Sequence, residues 1–391
     1  MEFPGVSMLR LEQGFNRGAS RELSIRIILI GQERARKRVV LFLAILFVCW
    51  SAPAPGDDYA LALTAYENGD FERALGLWTE LAESGDAQSQ YQLSQLYQQG
   101  RAVERDLDTA VKWARAAAET GHSAAQNFLG WRYFKGDGVV QDYTEAASWY
   151  VKAAIQGNAK AQNQLGWMLL RGLGLPQNFD EARKWLQDAA AQGDPGAQNN
   201  LGWIYLNKMG GLEDRGQAFR WIQAAARQGH AKAQDNLGWM YQNGKGVTWD
   251  IDEAVRWYRA AATQGHAQAQ FRLGALYYNG TDLAQNLAEA KKWFELAAHQ
   301  GIAETQFNLG VMYFNGEGME RNIDEAVKWI EKAARKGLAI AQYTLGTFYQ
   351  DGAGINRDED RALYWLHKAI DSYENTGNMP ADLLQRYQKL R

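Results

Sequence analysis

The residues with the most evident chemistry are four tryptophans, Trp131, Trp167, Trp203 and Trp239, which recur at a constant step of 36 residues. Each directly follows a Leu-Gly pair, and four residues earlier stand Asn127, Asn163, Asn199 and Asp235. Residues four apart share one face of a helix. An indole packs on apolar side chains or stacks on a sugar ring, and a carboxamide bonds a peptide backbone or a hydroxyl. The pairing therefore suits an extended peptide or a glycan. The next three units carry Ala275, Val311 and Thr347 at the Trp position, and Phe271, Phe307 and Tyr343 at the earlier one. A second reading has the Trp side chains filling space between neighbouring helices. The Asn row favours the ligand-facing reading, because a buried Asn without partners is costly, and Trp is enriched at binding hot spots.

Other reactive residue types do not assemble into sites. Asp108, Asp180, Asp252, Asp324 and Asp360 fall one per unit at expected helix starts, in register with Thr144. There a side-chain oxygen caps free backbone N–H groups. His122, His230 and His266 share one repeat position and stand a unit or more apart, which gives no convergence on a metal; a capping or solvent role suits them. Turns such as Gly136-Asp137-Gly138 lack the Gly-Lys-Ser/Thr signature of a phosphate loop. There is no His-Glu-x-x-His and no nucleophile elbow, so a hydrolase has no support. The one cysteine, Cys49, lies in an N-terminal apolar stretch, leaving the rest without disulfides, zinc-thiolate sites or Cys catalysis. No cofactor, metal or catalytic residue is expected. The formal charge is −3, and residues 1–50 are net basic, so the remainder is more acidic still. That balance argues against nucleic acid.

The elements that carry these residues follow from the period. Trp recurs at 113, 149, 185, 221, 257, 293, 329 and 365, and Gly and Gln keep the same step from Gly85 to Gly337 and from Gln90 to Gln342. A fixed period of this size marks a repeat array. In one unit, Gln126, Leu129, Gly130 and Tyr133 form a single helical face over Ser123 to Lys135. The Gly136-Asp137-Gly138-Val139 turn follows. A second helix begins near Thr144, with Ala146, Trp149, Ala153 and Ala154 inward, and Gly157 closes it. Stacked units of this kind bury a continuous core.

The string Leu129, Gly130, Tyr133, Gly136, Gly138, Val139, Ala146, Trp149, Ala153, Ala154 and Gly157 resembles the Sel-1-like repeat, a relative of the tetratricopeptide repeat. Asp282 and Lys208 replace turn glycines in two units. The resemblance implies an all-α fold, a right-handed α-solenoid with a concave groove lined by first helices, and an adaptor that assembles complexes. It brings no shared catalytic residues. By analogy with tetratricopeptide repeats, the residue after Leu-Gly looks into the groove.

The expected organisation is a leader, apolar segment and linker over 1–56, an opening helix pair over 57–84, eight repeats over 85–372 and a capping helix over 373–391. Leu383, Leu384, Tyr387 and Leu390 would form the apolar face of that cap. Residues 34–38 read RARKR and 39–50 read VVLFLAILFVCW, followed by SAPAPGDD. A basic cluster, a short apolar core and small residues form a signal-peptide pattern. Membrane attachment through residues 39–50 is the alternative. The expected function is a non-catalytic scaffold for a protein partner, periplasmic or secreted, in a bacterial envelope. The alternative is a receptor for envelope glycan, either peptidoglycan or exopolysaccharide.

Overall fold

The computed structural model describes residues 55–211, 213–374 and 379–390. The expected leader and the apolar segment 39–50 lie outside the described residues. Those described form nineteen α-helices and one short 3-10 turn, with no strand among them. An opening pair, Pro55–Glu67 and Phe71–Glu83, precedes eight further pairs, from Ala87–Gln99 with Leu107–Glu119 to Ala339–Asp351 with Glu359–Glu374. Each helix packs chiefly on its neighbours in sequence, as in an α-solenoid. No described helix is long and apolar enough to cross a membrane.

Glycine shapes the unit twice. Gly136 ends its first helix in the left-handed region (φ 71°), and its N–H donates to the Arg132 carbonyl. Gly174, two residues past the same stop in the next unit, sits so close to the preceding unit that a Cβ would lie 2.1 Å from the Tyr143 carbonyl oxygen. Lys208 takes the helix-stop position in the fourth repeat and still adopts φ 57°. That conformation costs a non-glycine residue about 1 kcal/mol.

The caps of the second helices lie two residues before the expected ones. Asp142, not Thr144, is the cap, and its carboxylate accepts from the N–H groups of Thr144 and Glu145. Asp106, Asn178, Asp214, Asp250, Asn286 and Asn322 act likewise. Asp108, Asp180, Asp252 and Asp324 therefore fall inside the first turn, where their charge meets the positive end of the helix dipole. The histidines do cap: Nδ1 of His122, His230 and His266 accepts from Ala125, Ala233 and Ala269 N–H at 3.2, 3.2 and 3.3 Å.

Two interactions recur through the core. The first is a notch. Gly130 in the first helix leaves room for the Tyr150 ring of the second; a Cβ there would come within 2.7 Å of it. Gly166 faces Leu186, Gly202 faces Ile222, Gly238 faces Tyr258 and Gly274 faces Phe294 at equally close range. The second is a glutamine relay. Gln126 Nε2 donates to the Ala118 carbonyl at 3.0 Å, and its Oε1 accepts from Gln156 Nε2 at 2.7 Å. Gln162, Gln198, Gln234 and Gln270 repeat both bonds. The relay lapses at Gln90 and at Gln306, which still donate to the Ala82 and Ala298 carbonyls but whose Oε1 atoms have no partner.

The terminal helix is shorter than the expected 373–391 cap. It spans Leu383–Gln388, and residues 373–374 belong to the last repeat helix. Leu383 is buried while Leu384 is exposed, so the expected apolar face is divided. Ion pairing and hydrogen bonds hold the segment: Arg386 reaches Asp351 at 3.0 Å and the Gln350 side chain at 2.9 Å.

The notch sets a clear expectation for mutation. Gly202→Ala should gain helix propensity of about 1 kcal/mol, but its methyl would press on Ile222 Cγ1 at 2.5 Å and the Ala218 carbonyl at 3.0 Å. Overpacking of that kind costs about 1–3 kcal/mol. Urea denaturation should show a net loss of stability; a variant as stable as the parent would refute the close packing.

Candidate functional site

The first helices lie side by side, and their side chains meet in rungs between successive repeats. Within each rung, one residue pairs with the residue 37 positions later. Asn163 Oδ1 accepts from Asn200 Nδ2 at 2.9 Å, and Asn199 Oδ1 accepts from Asn236 Nδ2 at 2.8 Å. Asp235 forms an ion pair with Arg272 at 3.3 Å. Part of the Asn row is thus satisfied by its neighbours, so burial of Asn199, 2% exposed, does not of itself call for an outside partner. The rung formed by Asn127 and Gln164 differs: neither side chain makes a hydrogen bond within the described residues, and both line one hollow.

The four tryptophans keep part of each ring open. Trp131 is 38% exposed, with the Arg132 guanidinium 5.1 Å from its ring. Trp167, Trp203 and Trp239 are half-buried. Trp167 meets Phe134 edge to face at 5.7 Å, and Arg171 lies between Trp167 and Trp203, 5.9 and 5.8 Å from their rings. Trp239 rests on the cores of two neighbouring repeats. Each indole packs on the array and leaves some surface open.

The second half is more committed to structure. Phe271 packs on Phe294 at 6.2 Å, and Phe307 rests on the core of the last repeats. The Tyr343 hydroxyl donates to the Asp382 carboxylate at 2.8 and 2.9 Å, joining the last first helix to the terminal segment. Contact with Arg386, and then with Tyr343, holds the Asp382 carboxyl below the usual range.

The hollow of about 420 Å3 spans three first helices. It brings together Asn127, Trp131 and Asn163 from the sequence reading, with Gln98, Gln164 and Tyr150, which that reading missed. Tyr150 stands where other units have Leu186, Ile222, Phe294 or Ile330, so its register marks it as core. A hydroxyl in a register that is apolar in most other units, Tyr258 apart, was the available signal. Among the described residues, no group of three or more His, Cys, Asp or Glu could hold a metal.

Asp235 is the perturbed acid of this face. Burial, with 4% of the residue exposed, pushes its carboxyl up to about 6, against the lowering pull of Arg272 and Lys232. The folded state therefore takes up a proton before the unfolded chain does. The buried charge opposes folding above about pH 6 and is relieved as pH falls toward about 4. Asp235→Asn removes this term. Its gain in stability over the parent should be largest at about pH 8, about 2–3 kcal/mol, and should shrink toward about pH 4.5. Thermal melts of both proteins across that range check this, and a pH-independent difference would refute it.

The family model described as Sel1 repeat matches eight consecutive stretches: 87–122, 123–158, 159–194, 195–230, 231–266, 267–302, 303–338 and 339–372. A Sel1 repeat protein from Oxalobacter formigenes is 32% identical, with a TM-score of 0.61 over 80% of this chain and 90% of that one. A protective antigen of uropathogenic Escherichia coli displaying an SLR fold is also 32% identical, with a TM-score of 0.48 over 86% of this chain and 83% of that one. No curated protein matches the sequence. Sel1 repeats generally serve as protein-interaction scaffolds. With its units matched end to end from 87 to 372, this chain belongs to the Sel1 repeat family.

Proposed function

We propose that this chain is a non-catalytic scaffold of the bacterial cell envelope that holds an extended segment of a partner protein along its row of first helices. The observation that carries the reading is the run of partly open indoles from Trp131 to Trp239 on one continuous face. A solenoid offers such a face over its whole length, and aromatic anchors supply most of the energy at protein interfaces. Mutual bonding of the Asn rungs keeps the face rigid, which lowers the entropic cost of binding. The envelope location rests on the basic and apolar pattern of residues 34–50. Both relatives above are bacterial proteins.

The test is capture from bacterial envelope extract by the full chain and by its Trp203→Ala variant. Trp203 is half-buried and stands outside the hollow at Tyr150. Loss of one anchor of about 2 kcal/mol should weaken capture roughly 30-fold, with the melting temperature shifted by only a few degrees. Undiminished capture by the variant would remove the indole row from the interface. Co-purification of polysaccharide in place of protein would favour the glycan reading, with the indoles as a stacking platform.

A further inference from the structure

The hollow between the first three repeats contains polar atoms that the fold leaves without partners. Tyr150 is 1% exposed, and its hydroxyl makes no hydrogen bond. Gln98 Oε1, on the same wall, is buried and equally unpaired. Above them stands the open rung, Asn127 and Gln164. The contrast with Tyr258, which fills the same notch three repeats on, is informative. Its hydroxyl donates to Gln242 Oε1 at 2.8 Å. The residue at the Gln242 register beside Tyr150 is Phe134, which can accept nothing. The rung beside Tyr258 carries the Asp235–Arg272 ion pair at 3.3 Å, which matches charge across the rung without a hydrogen bond between Asp235 Oδ1 and Arg272 Nε. At Tyr150 both satisfactions are missing together.

A buried hydroxyl without a partner costs about 1–3 kcal/mol. Phenylalanine fills the same notch in the sixth repeat, as Phe294, without that cost. We infer that Tyr150, Gln98, Asn127 and Gln164 form a pocket for the carboxamide side chain, Asn or Gln, of a peptide lying along the first helices; this rests on the scaffold reading above. A carboxamide supplies both complements at once: its carbonyl accepts from the Tyr150 hydroxyl and its NH2 donates to Gln98 Oε1. The lining carries one lysine, Lys160, and one aspartate, Asp194, whose charges cancel. A charged ligand group would lose its hydration against a neutral floor. The exposed Trp131 ring gives the apolar stem of the side chain a surface to lie on. The Tyr150 hydroxyl lies out of reach of water, so entry needs a rotamer change in the wall. Such changes are ordinary at interfaces, and Gln164, held by no hydrogen bond, is free to make one.

The test uses the full chain and a panel of acetylated, amidated alanine pentapeptides with a central Gln, Asn, Glu, Lys or Leu, and a chitooligosaccharide as the sugar probe. Binding is followed by tryptophan fluorescence and by NMR. The Gln or Asn peptide should bind at least about tenfold more tightly than the Glu, Lys and Leu peptides. Tyr150→Phe should abolish that preference while leaving the melting temperature of the unliganded chain unchanged or raised. A preference that survives Tyr150→Phe, no binding by any peptide, or binding of the sugar alone would overturn the pocket. So would a Tyr150→Phe variant less stable than the parent, which would show the hydroxyl already satisfied within the chain. If Trp203→Ala abolishes partner capture while the peptide panel shows no carboxamide preference, the scaffold stands and the pocket falls. If the preference appears and Trp203→Ala leaves capture intact, the pocket stands and the wider groove falls.

Discussion

The structure depends on a buried carboxamide repeated once per unit. Every helix ends with carbonyls that have no partner within it, and an array of short helices multiplies that problem. Gln126 and its counterparts answer it. Gln126, Gln162, Gln198, Gln234 and Gln270 each donate to a carbonyl in the last turn of the preceding unit's second helix and accept from the glutamine that caps their own unit's second helix. One side chain thereby joins three helices, in a place where an unpaired amide would be expensive. Because the bond spans units, it fixes the spacing from each unit to the next. The glycine notch then sets the depth at which the second helix seats against the first. Relay and notch together favour a constant period of 36 residues in the units that carry both.

The same geometry decides which side chains face a partner. The rungs between first helices have one register and two uses. Where both members are complementary, as in Asn163 with Asn200, they stiffen the face. Where they are not, as in Asn127 with Gln164, they leave hydrogen-bonding capacity open. The face therefore changes along the chain from an open polar hollow, through closed carboxamide rungs, to aromatics committed to the core and the terminal segment. A solenoid can vary its recognition in this way because each unit's outward residues are free of the constraints on relay and notch.

The repeat pattern made the fold legible, since period, helix pair and turn all follow from Gly, Gln and Trp in phase. The helix starts were less legible. All units but those with Gly216 and Ala288 carry two polar residues two apart, such as Asp106 and Asp108, and either can cap; the extended residue that enters the helix selects the first. The Trp row was visible as a candidate, but its half-packed state was not, because an indole large enough to bind is also large enough to fill a gap. Asn163 and Asn199 looked unpartnered because their partners lie 37 residues away, just off the period. Tyr150 was hidden for the opposite reason. Its register is apolar in most units, so it reads as core until the missing partner is seen.

Where the relay lapses, the array loses more than one bond. At the relay's next register stands Lys336, which donates to the Gly301 carbonyl instead and leaves Gln306 Oε1 unpaired. The Thr305 hydroxyl beside it is also buried and unpaired, and Ile302 and Leu338 start their helices with no side-chain cap. In a one-dimensional lattice, cooperativity is only as long as its unbroken nearest-neighbour couplings. The seventh repeat is therefore one weakened coupling in the array. The first repeat shows the same lapse, since Gln90 donates to the Ala82 carbonyl while its Oε1 is unpaired, so the relay runs unbroken only over the five units from Gln126 to Gln270. Under tension from its two ends, the solenoid would keep that stretch, which carries all four indoles of the row, while the units beyond either lapse peel away first.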